Sequence, residues 1–121
     1  MVEVMIERFS HVMMYVTDLD RAVAWYGENL GFAVNFVAPK AYASLRHDVL
    51  GMRLDLHPTE ETGGDVGHGP IPNFSTRNID AAVAELKSKG VKVGEVRREG
   101  NSPRFMTFWD SEGNALGLEE S

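Results

Sequence analysis

Four histidines, His11, His47, His57 and His68, carry most of the acid–base chemistry open to this chain near neutral pH. Two of them share rows with other reactive side chains, because residues two apart on a strand point to the same face. His11, Met13 and Tyr15 form one such row, and Arg53, Asp55 and His57 form another. The positions between them, Val12, Met14, Val16, Leu54 and Leu56, are apolar. Aliphatic rows suit packing against helices, which leaves the histidine-bearing rows for the concave side of a sheet. The same sorting puts Tyr42, Ser44 and Arg46 on the concave side and Leu45 on the packed one. Histidine and aspartate facing one cavity can move protons. Arginine, tyrosine and methionine beside them can hold an organic molecule. No nucleophile–base pair is spelled out, and the absence of cysteine excludes disulfides, cysteine-ligated zinc and thiol nucleophiles. His47 falls on the apolar row beside Leu45 and should mark a strand edge; His68 lies in a glycine-rich stretch and should be exposed.

The elements that position these rows come in two copies. Thr17-Asp-Leu-Asp-Arg-Ala-Val-Ala24 matches Arg77-Asn-Ile-Asp-Ala-Ala-Val-Ala84 at an offset of sixty residues. Asp18 and Asn78 are N-cap residues whose side chains accept from orphan helix N–H groups. Leu19, Ala22, Val23, Tyr26 and Leu30 follow at helical spacing in the first copy, and Ile79, Ala82, Val83 and Leu86 in the second. Gly31 and Gly90 end these helices. Strands are expected at about 32–38 and 42–49, then at about 91–97 and 104–109. Each copy closes alike, Gly51 to His57 matching Gly113 to Glu119, with Leu54 and Leu56 aligned on Leu116 and Leu118.

The chain is therefore expected to be α+β: two tandem βαβββ modules whose curved mixed sheets surround a concave pocket. Module 1 covers about 9–58 and module 2 about 70–120. The connector, about 58–70, is glycine-rich and should be flexible. In module 2 the concave rows are Ile71, Asn73 and Ser75, then Ala115, Gly117 and Glu119. The aromatic strand leaves two alternatives: either Arg104, Met106 and Phe108 face in, or Phe105, Thr107 and Trp109 do. Met106 is taken as a wall of the pocket, with Met13, Tyr15 and Tyr42, while His11, Arg46, Arg53, Asp55, His57 and Asn73 supply polar contacts.

Twelve basic against eighteen acidic residues give a formal charge of −6, a surface that repels nucleic acid. The basic stretch Lys87, Lys89, Lys92, Arg97 and Arg98 is interleaved with Glu85, Glu95 and Glu99 and reads as a solvated face. No apolar run approaches the ~20 residues that span a bilayer, and the charged first segment is no signal peptide. A cytoplasmic protein with no membrane partner is expected.

The run His11 to Asp18, the helix ending in Tyr26…Leu30-Gly31-Phe32, and Asp110-Ser-Glu-Gly-Asn114 resemble the vicinal oxygen chelate superfamily. Its members include glyoxalase I, bleomycin-resistance proteins, extradiol dioxygenases and fosfomycin-resistance proteins. The similarity spans about Phe9 to Glu120. In metal-dependent members each module gives two ligands. The resemblance assigns the first pair to His11 and Asp55, and the repeat carries the second onto Ile71 and Gly117, which have no donor atoms. Catalytic divalent metals normally take at least three protein ligands. The resemblance thus implies a small-molecule-binding protein with an incomplete metal site. The alternative is a divalent-metal lyase, isomerase or dioxygenase using a set shifted about 7 Å along the strands: His11, His57 and Glu119. A further alternative is a metal-free enzyme with His11, His57 or Asp55 as its acid–base groups. A homodimer is expected, with modules paired within or across chains.

Overall fold

The computed structural model describes residues 5–59 and 66–121; residues 60–65 of the expected connector, with Gly63 and Gly64, lie outside the described residues. The first module runs β1 (Val12–Val16), α1 (Leu19–Leu30), β2 (Ala33–Ala38), β3 (Tyr42–His47) and β4 (Met52–Pro58). The second runs β5 (Asn73–Thr76), α2 (Ile79–Ser88), β6 (Lys92–Val93), β7 (Phe105–Trp109) and β8 (Ala115–Glu120). Each module makes one four-stranded mixed sheet, ordered β1-β4-β3-β2 and β5-β8-β7-β6. In each, the first strand lies parallel to the last and the other pairs are antiparallel.

Local chemistry sets the helix ends. Asp18 Oδ1 accepts from the Arg21 N–H and Asn78 Oδ1 from the Ala81 N–H, both at 3.0 Å. Gly31 ends α1 with φ of 79°, a left-handed conformation that costs glycine little. The strand expected at 91–97 is cut short. Val93 pairs with Phe108 and Arg97 with Phe105, so the β6 side carries one extra residue and the ladder breaks at a bulge.

The cores follow the expected alternation. Leu19, Ala22 and Tyr26 of α1 are buried with Met14, Val16, Leu45, Leu54 and Leu56; Ile79, Val83 and Leu86 of α2 are buried with Phe108, Leu116 and Leu118. The aromatic strand takes the second of its two alternatives. Met106 pairs across β8 with Leu118 and is 1% exposed, so it is a core residue and not a pocket wall. Phe105, Thr107 and Trp109 take the opposite face.

A buried polar network joins the modules. The Tyr26 hydroxyl donates to Asp110 Oδ2 at 2.7 Å. Asn114 Nδ2 donates to the same oxygen at 3.0 Å and to the Tyr15 carbonyl at 2.9 Å. The backbone N–H groups of Glu112 and Asn114 occupy Asp110 Oδ1. A buried carboxylate is tolerable only when its lone pairs are filled in this way. Burial, then the Asp110 charge, pushes the Tyr26 phenol far above its ordinary range. Nearby, Glu112 Oε1 accepts from the Thr17 and Asp18 N–H groups at 3.0 and 2.8 Å, and its Oε2 meets Arg21 Nε at 2.7 Å. Burial alone would raise the Glu112 carboxyl. The Arg21, Asp18 and Ser111 donors outweigh it and hold the group below the usual carboxylate range.

Two outcomes are expected. Tyr26→Phe removes a donor from a buried carboxylate and should lower the unfolding free energy by about 1–3 kcal/mol, measured by urea denaturation. Glu112 is depressed in the folded state, so its contribution is present above its unfolded value near ~4 and lost as pH falls through the lower folded value. Urea titrations between pH 5 and 2 should show a steeper loss of stability for the native chain than for Glu112→Gln.

Candidate ligand-binding site

The concave face of module 1 centres on Asp55, in the middle of β4 and 2% exposed. Arg53, two residues back on the same face, donates from Nε to Asp55 Oδ1 at 2.9 Å and from Nη2 to Oδ2 at 2.8 Å, a two-pronged pair. Ser44 lies directly across on β3, buried, with its hydroxyl accepting from Asn35 Nδ2 at 3.3 Å. His11 Nε2 stands 3.5 Å from Asp55 Oδ2, and Ser10 Oγ lies 2.8 Å from His11 Nδ1. Burial by itself would raise the Asp55 carboxyl; the bonds from Arg53 and Ser44 and the nearby His11 hold it below the ordinary range.

An aromatic wall rises beside this polar floor. The Tyr42 and His57 rings are stacked, 5.0 Å apart and 6° from parallel, and Phe36 meets Tyr42 edge-on at 5.4 Å. The Arg53 guanidinium lies 5.8 Å from the centre of the Phe36 ring. Met13 and Tyr15 sit on the parallel neighbour strand, in register with Asp55 and His57. Both also line a recess of about 170 Å³ where the modules meet, with Ile71 and Ala115 across from them. Arg46 is directed elsewhere: its side chain donates to the Val34 carbonyl and to Asp48 at the sheet edge.

Module 2 repeats the framework without the donors. Asn73 pairs with Gly117 as Met13 pairs with Asp55, and its amide lies over Gly117, where any Cβ would collide with it. The amide donates to the Ile71 carbonyl at 3.0 Å. Glu119 is exposed, between Ser75 and Phe105. Among the described residues no three His, Cys, Asp or Glu side chains are grouped to hold a metal ion, so His11, His57 and Glu119 are not brought together as a shifted set. Of the pair that the resemblance assigns, Asp55 is already held by a guanidinium. The donors present do not fit a catalytic divalent metal.

The concave residues that sequence reasoning left undecided or unassigned are Phe105 and Trp109, Phe36 and Ser10. Lys92 Nζ lies 4.9 Å from the centre of the Trp109 ring and the Arg97 guanidinium 5.2 Å from that of Phe105. The signal for β7 is its pairing with β8, which sets Met106 against Leu118 and turns Phe105 and Trp109 outward. His47, expected at a strand edge, takes a capping role: Nε2 is 2.9 Å from the Leu30 carbonyl, and Nδ1 accepts from the Leu50 N–H. His68 is exposed.

A family model described as Glyoxalase/Bleomycin resistance protein/Dioxygenase superfamily matches residues 8–118. Solved structures share the fold. A superfamily member from Sphaerobacter thermophilus is 24% identical, with a TM-score of 0.83 over 98% of this chain and 100% of that one. TnmS3, an antibiotic binding protein from Streptomyces sp. CB03234, is 23% identical, with a TM-score of 0.80 over 98% of both chains. A lactoylglutathione lyase from Agrobacterium tumefaciens is 18% identical, with a TM-score of 0.75 over 97% of this chain and 96% of that one. The paired βαβββ sheets, with the match over nearly the whole length, place this chain in the glyoxalase/bleomycin-resistance/dioxygenase superfamily, the vicinal oxygen chelate fold.

Proposed function

We propose that the protein binds a small organic molecule on the concave face of module 1 without a metal ion. The observation that carries this reading is the Arg53–Asp55 pair set beneath the stacked Tyr42–His57 rings. The paired carboxylate cannot act freely as a base, because protonation would have to displace two guanidinium bonds. What remains available is binding chemistry: outward guanidinium and imidazole N–H groups, a serine hydroxyl, thioether and aromatic faces. His11 at the edge of the pair and His57 in the stack orient ligand polar groups, and Met13 and Tyr15 extend the apolar wall towards the module junction. The likeness to an antibiotic binding protein is consistent with this reading and shows the fold alone.

We further propose a homodimer. Val34, Phe36 and Val37 stand 42–48% exposed on the edge strand β2, and a second copy covering them would remove this apolar surface from water. Light scattering at micromolar concentration should give twice the mass of one chain; a monomer mass would refute it.

The binding reading is tested by thermal shift against a broad panel of small organic compounds, with and without EDTA. At least one compound should raise the melting temperature equally in both. Arg53→Ala and Tyr42→Ala should each weaken that compound's affinity by about tenfold, roughly 1.4 kcal/mol. A panel without a single hit, or a response that appears only after Zn²⁺, Mn²⁺, Ni²⁺ or Fe²⁺ is added, would favour the metal-dependent lyase or dioxygenase reading instead.

A further inference from the structure

The repeat is also broken on the helix side of the sheets, and the break leaves a recess open to solvent. Strand register aligns the two halves there. Leu45 pairs with Leu54 as Phe108 pairs with Leu116, so His47 and Asp110, each two residues further on, are equivalent positions. On the helices, Tyr26 and Leu86 are equivalent at the sixty-residue offset. In one half, Tyr26 is 0% exposed and fills the gap between its own sheet and Asp110 of the other module, with Met14 Sδ 3.8 Å from its hydroxyl. In the other half, Leu86 faces His47 with a side chain too short to span the same gap.

A solvent-open recess of about 230 Å³ lies at that point, lined by residues of the core side of the sheets and of helix α2. Phe74, Leu86, Phe108 and Leu118 wall it from module 2, and His47 and Leu50 from module 1. Phe74 stands where Met14 stands beside Tyr26. His47 offers the recess little polarity. The Leu50 N–H can only donate, so Nδ1 is the bare nitrogen and Nε2–H is spent on the Leu30 carbonyl. The walls are thus apolar and aromatic, with Asn29 and Glu85 also bordering the space. One side is open to water, so a flat apolar ring could enter without any segment moving and lie against these walls.

We propose that this recess is a second ligand site, for a neutral single-ring aromatic molecule of phenol or cresol size, which would occupy the space that the Tyr26 ring fills in the other half. Its hydroxyl would lie at the open rim beside Asn29, whose amide donates to the Trp25 carbonyl, and Glu85, which is paired with Lys89 at 3.2 Å. The assignment does not depend on the concave-face reading.

The test uses p-cresol and the full chain. At about ten times the dissociation constant the melting temperature should rise by about 5–6 °C. The rise should persist in Arg53→Ala, which alters only the concave face, and disappear in Leu86→Phe, whose ring fills the recess. In methyl NMR of the unaltered protein, Leu86 and Leu118 signals should move on titration and the Met13 signal should not; this holds the test open even if Leu86→Phe does not fold. No rise at any soluble p-cresol concentration, a rise undiminished in Leu86→Phe, or shifts centred on Met13 would overturn the proposal.

Discussion

The bond from the Tyr26 hydroxyl to the buried Asp110 carboxylate is where two similar half-structures become one. Asp110 spends its oxygens on donors from a helix of one module and a turn of the other. Asn114, fixed by that same carboxylate, reaches the Tyr15 carbonyl and so ties β1 to the second module. The concave row of His11, Met13 and Tyr15 is therefore located by an interaction on the opposite side of the sheet. The concave face of module 1 inherits its geometry from a hydrogen bond in the core.

The two modules share a frame and differ in chemistry. The first puts a carboxylate at the centre of its last strand and neutralises it at once with Arg53. The second puts glycine there and covers it with an asparagine amide. The face of module 1 is polar and edged by cations, and that of module 2 carries small residues flanked by Trp109 and Phe105.

Much of the frame was legible because it rests on local rules. The repeat, the Asp18 and Asn78 caps, the glycine after each helix and the aliphatic alternation of β1 and β4 each need only a few neighbouring residues, and each is present in the fold. Tertiary pairing decided the rest. Both rows of β7 carry large apolar groups, so alternation alone could not choose between Met106 and Phe105. The one-residue bulge that shortens β6 exists only relative to its partner strand. Arg53, Asp55 and His57 were readable as one row, but the saturation of Asp55 by Arg53 was not. A guanidinium on the same face can turn outward to solvent or sideways to its neighbour. The bond between Tyr26 and Asp110 joins residues 84 apart, beyond the reach of any spacing rule.

The seating of the two helices differs in a way that bears on how the chain matures. The start of α2 is held within its own module, Glu120 accepting from the Ile79 N–H and Arg104 reaching Asp80. The start of α1 is held by Glu112, more than ninety residues downstream. During synthesis the amino-terminal half thus leaves the ribosome before the side chain that locks its helix has been made. The carboxy-terminal half carries the corresponding contacts within itself.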